Sequence, residues 1–330
     1  MKTQEQSDAA SVARSWETYW NGTAQAGAYG VGGVSHPAIH EFWDKFFATL
    51  KHRKDPLSLL DIASGNGAVI ECALAVTSDK PMAISCVDIS PASISNIRDR
   101  FPDVRGVVCD ARQIPMESGS FDVITSQFGV EYAGLEAISE AARLLTEGGE
   151  MALLLHHRYG VIHLECAASL DATSRVRESG FIPLAIEMFK SGFAAVRGAD
   201  RAPYDSAASQ LAPAVKTLED ILAEHGEHVA GDTVARLYRD VVGIHAKMQR
   251  FDPDEVLEWL GRMNDELEAY VARMSSMMES SIDDTGLKKI CADLETSKCN
   301  LRQAGPLMAP GIALPLAWII VAARPAITEI

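Results

Sequence analysis

The sequence of 330 residues lacks the hallmarks of several protein classes. Its six cysteines are scattered and form no CxxC pair, which excludes the common zinc and dithiol motifs. The longest apolar stretch, 311–323, contains Pro315 and is too short to span a bilayer. The N-terminal segment MKTQEQSDAASVARSW is polar and lacks the apolar core of a secretory signal. We therefore expect a reducing, cytoplasmic setting, no metal site and no membrane partner.

Positive charge is also scarce. The chain has 30 Lys and Arg residues against 45 Asp and Glu residues, which gives a formal net charge of −15 at pH 7. An acidic surface repels phosphate backbones, so nucleic acid is an unfavourable partner. Hydrophobic residues make up 47% of the chain and charged residues 23%, which is ordinary for a folded protein.

Hydrophobic periodicity divides the chain into four segments. Residues 1–50 predict helices that form a lid, and residues 51–158 alternate apolar runs with helical patterns, as βαβ units do. Residues 159–310 have helical patterns almost throughout, and residues 311–330 contain a strand that we expect to return to the sheet. The predicted fold class is α/β, with a doubly wound, mostly parallel sheet and a large helical insertion, or cap, before the final strand.

The clearest helix of the insertion begins at the segment DPDE, 252–255. An acid precedes a proline at the first helical position, and Glu255 follows three residues after that acid, which are helix-start signals. Apolar residues then recur at alternating spacings of four and three: Val256, Leu260, Met263, Leu267, Tyr270, Met274 and Met277. This stripe packs either inside one subunit or in a homodimer through the 253–280 helix.

The segment LLDIASGNGA, residues 59–68, joins an apolar strand to a loop of small residues. Glycines let the backbone pass close to a ligand, and the following helix offers free N–H groups to a negative group. Such a loop binds adenosine-type cofactors at the C-terminal edge of a parallel sheet. Asp88 ends the next strand and is placed to accept hydrogen bonds from a ribose. Nicotinamide dinucleotides and S-adenosylmethionine both contain that ribose, so Asp88 does not discriminate between them.

Four motifs in order resemble those of the class I S-adenosylmethionine-dependent methyltransferases. LLDIASGNGA is similar to the first motif of that family, with Ala63 in the first glycine position, and VDIS at 87–90 is similar to the second. CDARQIPMESGSFDVITSQFGVEY at 109–132 resembles the segment that contains D-A-x-x-(L/I)-P and F-D. ARLLTEGGEMALLL at 142–155 resembles the Gly-Gly turn and fifth strand.

The resemblance implies a binding site for S-adenosylmethionine, with S-adenosylhomocysteine as the product. The loop after the first strand would follow the methionine part, the ends of the next two strands would hold the ribose and adenine, and the end of the fourth strand would lie beside the sulfonium. In that order the residues are Ala63, Ser64, Gly65, Gly67, Asp88, Ile89, Asp110, Ala111, Gln127 and Phe128.

Candidate residues for the methyl acceptor also follow strand ends. His156 and Glu131 are the candidate catalytic residues, because a base is needed if the acceptor has a proton of high pKa and histidine titrates near neutral pH. The candidate substrate contacts are Tyr19, Trp20, Tyr132 and His157. A structural role is the alternative for each of them.

These observations favour a methyltransferase that acts on a small molecule by in-line transfer within a helix-capped pocket, since an enclosed site suits a small ligand. Three alternatives stay open. An enzyme of the same fold can transfer or cyclise the aminocarboxypropyl group, and a non-catalytic scaffold can retain the cofactor site. A nicotinamide-dependent dehydrogenase is the third, although the DARQIP and FDVITSQF stretches argue against it.

Overall fold

A computed structural model describes residues 16–17, 36–53, 56–77 and 82–326. The described residues form two compact units. The first contains residues up to Leu164 together with those from Ser276 onward, and the second runs from Glu165 to Ser275. The segment boundaries that the sequence suggests at residues 50, 158 and 310 stay predictions.

A sheet of seven strands organises the described part of the first unit. The strands are β1 Leu57–Ile62, β2 Met82–Asp88, β3 Arg105–Val108, β4 Phe121–Gln127, β5 Leu145–His156, β6 Asn300–Leu307 and β7 Ala317–Ala323. Their order across the sheet is β3-β2-β1-β4-β5-β7-β6. The first five strands pair in parallel, and β7 is antiparallel to both β5 and β6. The predicted α/β class with a mostly parallel sheet is confirmed.

Helices cover both faces of this sheet because its strands are apolar on both faces. Neighbouring strand residues enter different cores: Leu59 joins one cluster and Leu60 the other. The first cluster packs against α1 Pro37–Leu50, α2 Ala68–Val76 and α3 Pro91–Arg100. The second cluster packs against α4 Leu135–Leu144 and α10 Asp284–Thr296. Helix α10 is the last helix described along the chain.

The intervening helices give the second unit its own core. They are α5 Val161–Glu178, α6 Phe181–Val196, α7 Ala202–His225, α8 Thr233–Ala246 and α9 Pro253–Ser280, of which α5 begins and α9 ends in the first unit. Asp252 Oδ1 accepts hydrogen bonds from the backbone N–H groups of Asp254 and Glu255, at 2.9 and 3.3 Å, so the predicted helix start is observed. Among the described residues, none of the helices combines the length and apolar character that crossing a bilayer requires.

The apolar stripe of α9 packs within the chain. Its first four members, Val256, Leu260, Met263 and Leu267, are buried in the core of the second unit. Burial there removes them from any surface that a second subunit could contact. A homodimer through this helix would therefore have to use its other face.

Strand β6 differs from the sequence-based expectation. It falls inside the segment 159–310, whose pattern is helical, and its sequence NLRQAGPL is mostly exposed and contains a glycine and a proline. An edge strand tolerates such residues, including a proline, because one side of it pairs with nothing. The following strand β7 does return to the sheet as predicted.

The chain re-enters the sheet through a short anchor after α9. Ile282 N donates to His156 O, and Ile282 O accepts from the backbone N–H of Arg158 and from Trp318 Nε1, each at 2.8 Å. The ring of His157 stacks on that of Trp318, with centroids 4.0 Å apart. This anchor fixes the last turn of α9 close to the C-terminal end of β5.

Candidate functional site

A cavity of ≈ 330 Å³ lies in the first unit, at the C-terminal ends of its central parallel strands. That volume is at the lower end of the range for small-ligand pockets. The strand ends of an open parallel sheet are also where ligands bind in doubly wound folds, because loops and helix N-termini meet there. Its walls come from the loop after β1, the ends of β2 and β3, the turn after β4, and the last turn of α9.

The loop after β1 bends through left-handed backbone conformations. Ala63, Gly65 and Gly67 have φ values of 52°, 51° and 80°. A non-glycine residue pays roughly 1–2 kcal/mol in this region, which gives a physical reason for glycine at the first motif position. The loop is tied to β2, since Ser64 N donates to Val87 O at 3.2 Å and Gly65 N donates to Asp88 Oδ2 at 2.9 Å.

Gly129 allows the end of β4 to approach this loop. A Cβ atom on Gly129 would lie 2.6 Å from the Cβ of Ala63 and 2.8 Å from its carbonyl oxygen. Both distances are too short for any side chain. The bare backbone at 129 is therefore required by the close contact with Ala63, and both residues line the cavity.

Asp88 is the central polar group of the cavity wall. Its side chain is nearly buried, and its two carboxylate oxygens accept hydrogen bonds from Gly65 N and Ser90 N, each at 2.9 Å. Burial raises the pKa of Asp88 above its ordinary value, against these hydrogen bonds. A carboxylate offers about four lone-pair sites, so it can accept further donors from a ligand.

Asp110 and Arg112 form an ion pair at the same cavity. Arg112 Nη2 lies 2.6 Å from Asp110 Oδ2, and its Nε lies 3.1 Å from both carboxylate oxygens. The hydrogen bonds from Arg112 hold the pKa of Asp110 below its ordinary value. The carboxylate is about one-third exposed, so a ligand amino group can still reach it.

Two aromatic rings after β4 form the opposite wall. Phe128 has a φ of 52°, a strained value that turns the chain sharply at the end of the strand. Its ring centroid lies 4.6 Å from that of His156, and the ring of Tyr132 meets the same histidine edge-on at 5.6 Å. Both aromatic residues line the cavity.

His156 and Glu131 form a buried pair behind these rings. Glu131 Oε1 accepts from His156 N at 2.8 Å and lies 2.7 Å from His156 Nδ1. Both side chains are inaccessible to solvent. The pair thus links the turn after β4 to the end of β5 and fixes the orientation of the imidazole.

Residues distant in sequence complete the cavity. Ser276, Glu279 and Ser280 line it from the last turn of α9, and Trp16 lines it from the N-terminal part of the chain. The ring of Trp16 meets that of Tyr132 edge-on, with centroids 5.4 Å apart. The cavity walls therefore contain three carboxylates, Asp88, Asp110 and Glu279, and an Arg112 side chain that is already paired.

Residues 60–153 match the model of a family described as "Methyltransferase domain". This match runs from within β1 to within β5 and contains the loop after β1, Asp88, Asp110 and the turn after β4. Over these residues the chain is similar to a methyltransferase domain, in agreement with the class I resemblance of its four motifs.

Curated relatives also match part of the chain. A ubiquinone/menaquinone biosynthesis C-methyltransferase UbiE of Campylobacter jejuni is 31% identical over 106 residues, which cover 31% of this chain and 45% of the relative. The UbiE protein of Legionella pneumophila is 30% identical over 124 residues, which cover 35% and 49%. This chain spans about half the length of the curated relatives that it matches. Among solved structures, the CMeT domain of the citrinin polyketide synthase matches with a TM-score of 0.45 and 12% identity, over 87% of this chain and 52% of that one.

S-adenosylmethionine is the cofactor of this family, and the cavity residues fit it. The nearly buried Asp88 carboxylate has acceptor capacity for two ribose hydroxyls. A sulfonium is a cation, and a wall of carboxylates and aromatic rings favours a cation through charge and ring quadrupole. Ala63 and Gly65 present bare backbone, against which an amino acid moiety can pack.

The structure brings most of the predicted cofactor residues together. Those that line the cavity are Ala63, Gly65, Asp88, Ile89, Asp110, Ala111 and Phe128. Ser64 and Gly67 shape the loop from behind: Ser64 is bonded to Val87 O, and Gly67 begins α2. Their binding roles stay predictions.

Gln127 lies elsewhere than the sequence suggests. Its side-chain oxygen accepts a hydrogen bond from Trp43 Nε1, on helix α1, and it does not line the cavity. Phe128 follows the last residue of β4 with a left-handed φ of 52°, and this sharp turn places it at the cavity while Gln127 contacts the helix. The role of Gln127 beside the sulfonium stays a prediction, and its contact with Trp43 argues against that role.

The candidate acceptor residues divide into three groups. Tyr132 lines the cavity, and His156 and Glu131 lie directly behind it. His157 stacks on Trp318 instead, and burial lowers its pKa. Tyr19 and Trp20 lie outside the described residues.

Sequence reasoning missed several cavity residues. Gly129 and Arg112 lie within the motif stretch 109–132, so their position next to predicted cofactor residues could have identified them as cavity residues. Ser276, Glu279 and Ser280 had none, because they lie about 120 residues after β5 and match no motif. Trp16 likewise has no sequence pattern that ties it to Tyr132.

One group in the described part of the second unit resembles a metal site, namely Asp171, Glu224 and His225. Arg175 already donates to Asp171 at 3.1 Å and to Glu224 at 2.7 Å. His225 Nε2 lies 3.0 Å from Asp171. Because the guanidinium already bonds both carboxylates of this surface cluster, we assign it no metal.

We predict that Ala63→Gly leaves the free energy of unfolding nearly unchanged or slightly raised. Glycine relieves roughly 1–2 kcal/mol of strain from the left-handed backbone conformation. It also makes the unfolded chain more flexible, which raises the entropic cost of folding by roughly 0.4–1 kcal/mol. Ala292→Gly, at an exposed position of α10, is the matched control and should cost about 1 kcal/mol. Denaturant titration of both variants measures the difference. Equal destabilisation by the two changes would contradict the strained conformation of Ala63.

A second buried acid, Asp61 on β1, makes stability depend on pH. Its Oδ1 accepts from Thr125 Oγ1 at 2.8 Å, and its side chain is buried. Burial raises the pKa of Asp61 from 3.8 to about 7, with a smaller contribution from Asp88. Because the folded-state pKa lies above the unfolded value, the stabilisation is complete below pH 4 and is lost as the pH rises through 7.

We therefore predict that Asp61→Asn gains stability relative to the wild type as the pH rises from 4 to 8. The neutral amide keeps an acceptor for Thr125 and avoids the buried charge. The gain should be at most on the order of 4 kcal/mol. Denaturant titrations at several pH values measure it, with the exposed Asp103→Asn as the control. A difference that does not vary with pH would show that Asp61 ionises normally.

Proposed function

We propose that this protein is an S-adenosylmethionine-dependent methyltransferase that acts on a small molecule. The observation that carries the proposal is the nearly buried Asp88 carboxylate at the cavity, bonded to the left-handed loop of a methyltransferase domain. The curated relatives are C-methyltransferases of ubiquinone and menaquinone biosynthesis, which supports transfer to a small organic acceptor. The acceptor of this chain is not inferred from them, since the match covers part of each chain.

The chain's own residues would hold the cofactor and align the reaction. The bound cofactor would supply a methyl group on a sulfonium, which needs alignment with the acceptor more than it needs acid or metal catalysis. Asp88 would accept from the ribose hydroxyls, and Asp110 would accept from the adenine amino group in place of part of its bonding to Arg112. Ala63 and Gly65 would lie along the methionine part. Phe128 and Tyr132 would exclude water on the acceptor side.

We propose that His156 acts as a general base for acceptors whose proton has a high pKa. Glu131 lies 2.7 Å from His156 Nδ1, and a carboxylate there favours the tautomer with the proton on Nδ1. In that tautomer Nε2 is the acceptor nitrogen of the ring, the atom through which a histidine takes up a proton. A phenol or a carbon acid would need this assistance, whereas a thiolate or a free amine would not.

The remaining parts of the proposal rest on sequence. The helical segment would cap the acceptor pocket, the protein would act in the cytoplasm, and neither nucleic acid nor membrane would be a partner. A homodimer through the 253–280 helix would use the exposed face of that helix, because its apolar stripe is buried within the chain. Aminocarboxypropyl chemistry and a non-catalytic scaffold remain alternatives, because a cofactor cavity alone suits both. Product analysis separates them: methyl transfer yields S-adenosylhomocysteine, and aminocarboxypropyl transfer yields methylthioadenosine.

Cofactor binding is the first test of this proposal. We predict that S-adenosylhomocysteine binds in calorimetric titration and that NADH does not. Asp88→Asn should weaken that binding roughly tenfold or more, since hydrogen bonds to a charged acceptor are lost. Asp103→Asn, on an exposed turn, should bind like the wild type. Absence of binding to the wild type would refute the proposal, and equal affinities of the two variants would refute the role of Asp88.

The base is tested with acceptors of different acidity. Once a phenolic or carbon-acid acceptor is known, Glu131→Gln and His156→Gln should lower kcat by roughly 10²–10⁴-fold while the affinity for S-adenosylhomocysteine changes little. With a thiol or amine acceptor, which needs no such base, the His156 variant should instead keep the kcat of the wild type. A His156 variant that keeps the wild-type kcat on a phenolic or carbon-acid acceptor would leave the pair with a structural role only.

A further inference from the structure

Two neighbouring residues near the N-terminus, Trp16 and Glu17, contact elements on opposite sides of the cavity. Glu17 Oε2 accepts hydrogen bonds from Ser90 Oγ and from Ala92 N, the latter at 3.2 Å. Its neighbour Trp16 lines the cavity and meets the ring of Tyr132. One residue thus contacts the first turn of α3, on the side of Asp88, and the other contacts the aromatic wall after β4.

Ser90 connects Glu17 directly to the proposed cofactor residue. Its backbone N–H donates to Asp88 Oδ1 at 2.9 Å, and its Oγ both donates to Glu17 and accepts from Ser93 N at 3.2 Å. Ser90 itself is buried. Asp88 and Glu17 therefore bond the same buried serine, and Glu17 also accepts from Ala92 N at the positive, N-terminal end of α3.

Trp16 adds a third ring to the acceptor side. The rings of Trp16, Tyr132, His156 and Phe128 form a continuous series, with successive centroids 5.4, 5.6 and 4.6 Å apart. Phe128 and Tyr132 follow the end of β4, so the sheet fixes their positions. Trp16 comes from outside the sheet, and the Glu17 contacts hold the adjoining backbone against α3.

We propose that Glu17 is a positioning residue that holds Trp16 as a wall of the acceptor side, and that docked Glu17 and a bound adenosyl ligand stabilise each other through Ser90 and Asp88. This inference rests on the proposed function, because it assigns the ribose to Asp88. Coupling of two binding events is reciprocal, so the ligand tightens the docking of Glu17 by the same factor by which docking tightens the ligand.

The test uses S-adenosylhomocysteine as the probe on the full chain. Glu17→Ala should weaken its binding roughly three- to tenfold in calorimetric titration. Glu17→Gln retains an acceptor oxygen and should recover part of that loss. Glu147→Ala removes an exposed glutamate near the start of β5, at the opposite edge of the sheet, and should bind like the wild type. Thermal melting without ligand identifies any variant that does not fold. If Glu17→Ala does not fold, the affinity of Glu17→Gln for S-adenosylhomocysteine decides between the outcomes.

Tryptophan fluorescence gives a second readout that a merely structural role would not alter. Addition of S-adenosylhomocysteine should change the emission of the wild type, and Trp16→Phe should remove most of that change. Trp259→Phe, in the second unit, should retain it. Equal ligand affinity in Glu17→Ala and Glu147→Ala, or an unaltered fluorescence response in Trp16→Phe, would overturn the inference. Failure of the wild type to bind the probe would instead refute the proposed function.

Discussion

The hydrogen bonds of the nearly buried Asp88 carboxylate are the interaction on which the cavity depends. One oxygen holds Gly65 in the loop after β1, and the other holds Ser90 at the start of α3. Burial of a charge is costly unless donors surround it, and backbone N–H groups provide two of them. Ligand hydroxyls would add further donors. A cofactor that binds there therefore reduces a cost already present in the folded protein, which is a physical reason for the acid at this position.

The opposite wall depends on a different kind of constraint. Phe128 occupies a strained backbone conformation, and Gly129 follows it because no side chain fits against Ala63. The Glu131–His156 pair joins this turn to β5 in a region without solvent. Strain of this kind persists only where the surroundings fix the backbone, and it is common at functional sites. The aromatic wall of Phe128 and Tyr132 is thus fixed relative to Asp88 by the adjacent strands β4 and β5.

The cofactor half of the site could be predicted from the sequence because its residues lie in local motifs. Asp88, Asp110 and the 63–67 loop each follow a strand, and strand ends converge at one edge of a parallel sheet. Side-chain direction was less predictable: Gln127 and Phe128 are neighbours, yet one bonds Trp43 and the other lines the cavity. Trp16 and Glu279 could not be predicted, because the contacts that place them depend on the path of distant segments. The exposed edge strand β6 was missed for a similar reason, since its pairing with β7 outweighs its weak strand pattern.

The most direct test of the central claim is an experimental structure with S-adenosylhomocysteine bound. The account predicts the ribose hydroxyls within hydrogen-bond distance of the Asp88 carboxylate, the amino acid part along Ala63 and Gly65, and the sulfur on the side of Phe128 and Tyr132. Trp16 should close that side while Glu17 stays bonded to Ser90. A ligand bound elsewhere, or an adenosine that does not contact Asp88, would contradict the assignment of this cavity as the cofactor site.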